Sequence, residues 1–276
     1  MNRDNKNLSV EEYLKRIRYD GDVSVSYDTL SRLVYCHFTS VPYENLDILN
    51  HIPLSLEIPD IYDKIVNRHR GGYCFELNAL LNWLLNRIGF ETQSYFARFL
   101  VNEPADIIPI KRHRVMKTVL DGIPYIADVG VGVEVPIYPL PLFENKETEI
   151  RGIYYRFIKD GVLGWVLQSR NAKKNESEWK DIYSFTEEPQ YEIDFVQPNF
   201  WCQYSPDSPL NVLSKIALRT PTGKYAIDGN LFRIYDASGA QLTITEKTIV
   251  PPEMKSILKD YFGIETTASC GERVKG

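Results

Sequence analysis

Thiols are scarce in this chain of 276 residues, whose four cysteines, Cys36, Cys74, Cys202 and Cys270, are widely spaced with no C-x-x-C pair or accompanying histidine cluster. That spacing fits reduced thiols in a cytoplasmic protein better than disulfides or a zinc site, so no metal is expected. Long apolar runs are missing too. No stretch reaches the roughly 18 residues of a membrane helix. The polar start, Met1 to Asn7, does not read as a signal peptide, so a soluble protein with no membrane partner is expected. Cations do not dominate: 32 Lys and Arg against 37 Asp and Glu leave a net charge of -5, which offers no general basic surface for nucleic acid.

What is present is ordinary globular material, with 43% hydrophobic and 25% charged residues, in a chain long enough for two or three structural units. Ser9 at a capping position, Glu12 three residues on, and Val10, Tyr13, Leu14 and Ile17 at helical spacing predict a first helix. A second runs from about Ser26 to Tyr35 through Leu30, Leu33 and Val34. The clearest helix starts at about Cys74, repeats Leu77, Leu80, Leu81, Leu84, Leu85 and Ile88 at helical spacing, and stops at Gly89. After Phe90 the pattern changes to short β-like runs with turn signals at Asp121-Gly122, Asp160-Gly161 and Asp228-Gly229, which indicates an antiparallel sheet or barrel. Arg170 to Lys180 reads as an exposed loop. Pro252 to Phe262, carrying Met254, Ile257, Leu258 and Tyr261, reads as a last helix. Boundaries fall near residues 90 and 205.

Cys74 stands out by position. It follows Arg70-Gly71-Gly72-Tyr73 and opens the apolar-striped helix, so its sulfur is expected at the positive end of a helix dipole, which lowers a thiol pKa. The paired glycines allow a sharp backbone turn and leave room for a substrate. Position alone does not distinguish such a thiol from a buried small hydrophobe. The other three cysteines lack a comparable setting.

A thiol near neutral pH needs a base, and only four histidines are available. His37, His51 and His69 fall in the helical part, whereas His113 begins a strand with Val115, Lys117 and Val119 on its side. If Asp121-Gly122 is a two-residue turn, Leu120 faces Ile123, Lys117 faces Ile126, Val115 faces Asp128 and His113 faces Gly130. Asp128 and His113 are then diagonal neighbours on one face, with backbones roughly 7 to 8 Å apart. Such an aspartate would hold the imidazole tautomer and stabilise the imidazolium. A one-residue slip in the hairpin would remove the pairing.

Further motifs accompany these residues: Val41-Pro42-Tyr43-Glu44-Asn45-Leu46, Arg70 to Asn78, Gly89-Phe90, Asp128-Val129-Gly130-Val131-Gly132, Trp179 to Phe185, and Ser205-Pro206-Asp207-Ser208. In that order and rough spacing the chain resembles the arylamine N-acetyltransferase family over nearly its whole length. The resemblance implies an α+β fold with a cysteine-protease-like Cys-His-Asp core. Residues 1–90 would form a helical bundle with the nucleophile Cys74, residues 91–204 an antiparallel β-barrel with His113 and Asp128, and residues 205–276 an α/β lid. It implies acetyl-CoA as co-substrate and ping-pong transfer through an acetyl-Cys74 intermediate. The acceptors would be aromatic amines and hydrazines, with N-hydroxyarylamines as a further class. Glu44 and Arg70 match an ion pair bracing the loop before the nucleophile. Phe75, Gly130, Val131, Ser205 and Ser208 are marked as cofactor- or substrate-binding positions.

Two departures from the family pattern concern the pockets. Val131 stands where most relatives have Phe, with Val133 where a small residue is common, so a differently shaped acceptor pocket is expected. Ser208 is followed by Pro209-Leu210 in place of a pattern ending in Phe. The run Lys111-Arg112-His113-Arg114 offers cations for the phosphates of CoA. A Cys-His-Asp set also serves a cysteine hydrolase or a transglutaminase-like enzyme, and the triad alone does not decide between hydrolysis and transfer.

Overall fold

Capping side chains and apolar stripes place the helices of the first ninety residues. In the computed structural model, which describes residues 8–104, 106–132, 135–174, 176–236 and 243–265, α1 spans Val10–Arg16. Its cap is Ser9, whose Oγ accepts the Glu12 N–H at 3.2 Å. Helix α2 (Tyr27–Ser40) starts at Ser26 and continues past Tyr35, because His37 and Phe38 prolong its buried stripe. After the short α3 (Leu46–Leu49) and α4 (Ile58–Tyr62) comes a π-helical turn, Asp63–Asn67. Helix α5 (Cys74–Ile88) ends at Gly89, where φ of 110° lies in the left-handed region that glycine adopts without cost. Each fully buried leucine of its stripe contributes roughly 1.5–3 kcal/mol.

Strands β1 (Thr92–Phe99), β2 (Lys111–Leu120), β3 (Ile123–Ala127), β4 (Leu140–Pro141), β5 (Thr148–Ile150), β6 (Ile153–Asp160), β7 (Gly164–Asn171) and β8 (Lys180–Phe185) form one antiparallel sheet. Their order is β4-β3-β2-β1-β8-β7-β6-β5, and a bridge from Glu144 to Phe157 brings the chain after β4 against β6, so the barrel is nearly closed. The β2–β3 hairpin has the predicted register where it is paired, with Leu120 opposite Ile123 and Lys117 opposite Ile126, and the ladder ends at Met116 opposite Ala127, short of the expected pairs Val115 with Asp128 and His113 with Gly130. Asp121 and Gly122 both take positive φ, as a two-residue primed turn requires.

Two other turn expectations shift. Asp160 pairs with Gly164 across a three-residue loop, Gly161 to Leu163, because its carboxylate accepts the N–H groups of Val162 and Leu163. Asp228 pairs with Leu231, so the turn residues there are Gly229-Asn230. The loop expected over Arg170 to Lys180 is shorter: Arg170 and Asn171 pair with Tyr154 and Ile153 in the ladder, and Lys180 opens β8.

Helix α6 (Val196–Tyr204) leads to a four-stranded antiparallel sheet of β9 (Lys215–Arg219), β10 (Gly223–Asp228), β11 (Leu231–Asp236) and β12 (Thr243–Thr248). Helix α7 (Pro251–Phe262) covers that sheet with Met254, Ile257, Leu258 and Phe262, while Tyr261 meets Tyr225 edge-on and Phe232 at a tilt. The helices and the barrel share one continuous core, from Tyr13 and Leu30 through Leu84 to Val115 and Tyr183. The last sheet and α7 have a core of their own. Among the described residues no helix is long and apolar enough to cross a membrane.

The motif Pro42 to Leu46 joins these parts. Tyr43 exchanges both backbone hydrogen bonds with Ala217 of β9, at 2.8 and 2.9 Å, while Glu44 N–H donates to Gly72 O and Gly72 N–H to Pro42 O. Asn45 donates to the carbonyls of Leu210 and Leu213 and accepts the Lys215 N–H. One short segment therefore ties the loop before Cys74 to the last sheet.

Candidate active site

Cys74 begins α5 and is 5% exposed, with its Sγ 3.6 Å from the Arg112 carbonyl of β2. The two preceding glycines serve close approach rather than a left-handed turn: neither has positive φ, and a Cβ on Gly71 would lie 2.1 Å from Pro42 O. Beneath this loop lies a buried ionic network larger than the expected pair. Arg70 donates to Glu44 Oε1 from Nε at 3.0 Å and Nη2 at 2.6 Å, and Nη2 reaches Asp47 at 2.9 Å. Lys64 bridges Asp47 at 2.8 Å and Glu76 at 2.9 Å, and Glu76 accepts the Tyr73 N–H at 3.0 Å. Burial alone would raise the Asp47 carboxyl, but Lys64 and Arg70 outweigh it and hold it below its ordinary value. Burial pushes the Glu76 carboxyl up, against the opposing pull of Lys64. Asp47, Lys64 and Glu76 carry no signal in the sequence that separates them from surface charges.

On the barrel side His113 Nε2 meets Asp128 Oδ2 at 2.6 Å, both groups buried. That bond leaves Nδ1 as the ring nitrogen for proton exchange. Asp128 Oδ1 accepts from Gly130 N–H at 2.8 Å and from Asn78 Nδ2 at 2.9 Å. Asn78, one turn after Cys74, also donates to Arg114 O at 2.6 Å and accepts the Val129 N–H at 2.9 Å. Sequence reasoning missed Asn78, although its i+4 spacing from Cys74 puts it on the same helix face. Gly130 makes room for Cys74 and Asn78 rather than for the histidine ring: a Cβ there would lie 2.7 Å from Cys74 Cα and 2.6 Å from Asn78 Nδ2.

Cys74, His113, Gly130 and Val131 line a cavity of about 460 Å³ together with Tyr43 and Phe99. Its far wall comes from the last sheet, including Lys215, Ala217, Lys224 and Tyr235, none of which the sequence singled out. Phe75, Ser205 and Ser208 are not in that lining. Phe75 is buried against Tyr73 and Phe195. Ser208 is buried, donates to Cys202 O at 2.7 Å and caps the turn Pro209–Asn211, while Ser205 accepts the Asp207 N–H. Val133 and Cys270 lie outside the described residues.

The cations of the strand run divide. Arg114 is 1% exposed, clamped bidentately by Glu192 at 2.6 and 2.8 Å and stacked over Phe195, so it is not available to phosphates. Arg112 faces the cavity.

The thiol itself departs from the sequence-based expectation. Burial pushes the Cys74 thiol well above its ordinary value, with Cys202 and Asp128 acting the same way, against the Arg112 cation and the Phe75 N–H. Desolvation outweighs the helix terminus and the Arg112 cation in setting this direction.

Comparison with known proteins now bears on this constellation. The N-acetyltransferase family model matches residues 26–270. The chain belongs to the arylamine N-acetyltransferase family. As a family member it is an acyltransferase. It is 29% identical over 274 residues to human arylamine N-acetyltransferase 1, covering 93% of this chain and 94% of that one. It is 32% identical over 199 residues to the Escherichia coli (strain K12) arylamine N-acetyltransferase, covering 72% and 69%. Among solved structures, the Mycobacterium abscessus arylamine N-acetyltransferase superimposes with a TM-score of 0.86 at 29% identity over 95% of this chain and 92% of that one. The Mycobacterium marinum arylamine N-acetyltransferase in complex with CoA gives 0.84 at 27% identity over 93% of each. The nearly closed barrel and α+β architecture accord with these neighbours.

Proposed function

We propose that this chain transfers the acetyl group of acetyl-CoA to an arylamine or arylhydrazine, N-hydroxyarylamines included, through an acetyl-Cys74 intermediate in the cytoplasm. The observation that carries the reading is His113 Nε2 bound to Asp128 at 2.6 Å while Cys74 and His113 line one cavity. In this reading residues 1–90 supply the nucleophile, residues 91–204 the base and its aspartate, and residues 205–276 the lid across the cavity.

In the first half-reaction the Cys74 proton passes to the base. His113 Nδ1 takes it as Sγ bonds to the thioester carbonyl carbon, and Asp128 stabilises the imidazolium so formed. The N–H groups at the start of α5, that of Phe75 beside the sulfur, receive the developing oxyanion. The bond from carbon to the CoA sulfur breaks, and CoA departs with the proton from His113. The amine nitrogen then bonds to the acetyl carbon, His113 accepts the amine proton, and the bond to Sγ breaks, returning Cys74 to the thiol. A cysteine hydrolase would share the triad; membership of an acyltransferase family favours transfer. The test is intact-protein mass spectrometry after brief exposure to acetyl-CoA. One acetyl adduct on wild type, absent from Cys74→Ala and discharged by an arylamine, is expected; no adduct on wild type would overturn the reading.

A further inference from the structure

In a regular strand consecutive side chains point to opposite faces, so His113 and its predecessor should not both reach one cavity. Here they do. The β1–β2 ladder pairs Ala97 with His113 but Arg98 with Lys111, which leaves Arg112 as an extra residue in a bulge. Bulges re-aim a side chain, and this one brings Arg112 into the cavity beside His113. Its guanidinium lies 5.7 Å over the Phe99 ring and is 15% exposed. Its one ionic contact among the described residues, Nη2 to Glu103 at 3.4 Å, is long for a charge-assisted hydrogen bond. Other cations of the wall are more tightly held, Lys215 by Asp228 and Arg233 by Glu246, each at 2.5 Å.

Resting on the acetyl-transfer reading, we infer that Arg112 makes this site selective for aromatic amines that carry a carboxylate, the aminobenzoate class. The ring lies along Phe99 and the carboxylate takes the guanidinium fork, for which Arg is built. The phosphates of CoA are the wrong partner for this cation. The pantetheine arm holds them far from the thioester, whereas Arg112, whose backbone carbonyl lies 3.6 Å from the Cys74 sulfur, turns its side chain into the cavity that this thiol lines.

The experiment compares 4-aminobenzoate with its neutral methyl ester as acceptors, with acetyl-CoA as donor, in wild type, Arg112→Gln, Arg112→Lys and Glu103→Gln. In a ping-pong scheme the ratio of kcat/KM for two acceptors belongs to the second half-reaction, so any change in how fast the thiol is acetylated cancels. Arg112→Gln should lower the carboxylate-to-ester ratio by about tenfold, mainly through the KM of the carboxylate, as expected for loss of a charge-assisted contact. Arg112→Lys should retain part of the ratio, and Glu103→Gln should raise it by removing the competing acid. An unchanged ratio in Arg112→Gln, or an unchanged ratio in both other variants should that protein not fold, overturns the inference. The mass of each protein after acetyl-CoA, taken before any acceptor is added, reports separately on the transfer reading itself.

Discussion

Asn78 uses its full side chain to hold the site together: it donates to Asp128 and to Arg114 O and accepts from Val129 N–H, with no exposure to solvent. Fixing Oδ1 of Asp128 leaves Oδ2 directed at His113, so in the proposed mechanism Asn78 is a positioning residue for the base. Asn78→Ala should lower kcat on the order of tenfold to a hundredfold with a smaller change in KM, since a misplaced base is costly in the transition state. Steady-state kinetics with acetyl-CoA and a neutral arylamine would show it, and an unchanged kcat would refute the role. Arg70 is a different case. Removing it leaves Glu44 and Asp47 buried with Lys64 as the remaining cation beside Asp47, so Arg70→Ala should cost roughly 3–5 kcal/mol in urea unfolding. A loss under 1 kcal/mol would show that the network adds little.

At the scale of elements, the glycines of the site act through packing. Gly130→Ala should prevent the acetyl adduct on Cys74 while leaving the secondary structure intact, because the new Cβ meets the Cys74 Cα at 2.7 Å. Mass spectrometry beside circular dichroism would separate the two effects; a normal adduct would mean that the segment after β3, which carries Gly130, yields easily. Helix capping gives a milder test. Ser26 Oγ accepts the Thr29 N–H at 3.3 Å, and Ser26→Ala should destabilise the protein by about 1 kcal/mol without altering the acceptor ratio. Element by element, α1 and α5 were readable from caps and apolar spacing, and the Asp121-Gly122 hairpin from its turn residues. The turns near 161 and 229 were displaced because local side-chain bonding and pairing, not the Asp-Gly dipeptide, set the loop.

The shared core of helices and barrel makes the whole molecule sensitive to acid through His37. Burial, aided by the Arg16 cation, lowers its pKa from 6.5 to about 3. Between these values the unfolded chain binds a proton that the folded chain refuses. Stability therefore rises with pH across that window and is lost as pH falls below 6.5, by up to about 1.4 kcal/mol per pH unit. His37→Gln should flatten this part of the profile in urea titrations at several pH values, whatever it costs at neutral pH; an equal slope would place the acid sensitivity elsewhere.

The sequence by itself determined the fold class, the helix that Cys74 opens and the register of the Asp121-Gly122 hairpin that carries His113 and Asp128 at its far end, because helix caps, apolar periodicity and hairpin turns act over a few neighbouring residues. Tertiary structure alone decided that Asn78 binds Asp128, that Lys64, Asp47 and Glu76 join Arg70 and Glu44, and that Arg114 is buried while Arg112 faces the cavity. It also set the upward direction in which burial pushes the Cys74 thiol, since desolvation depends on what the rest of the chain packs around the sulfur. Those outcomes depend on contacts between residues far apart in the chain, and on one bulge that no local pattern announces.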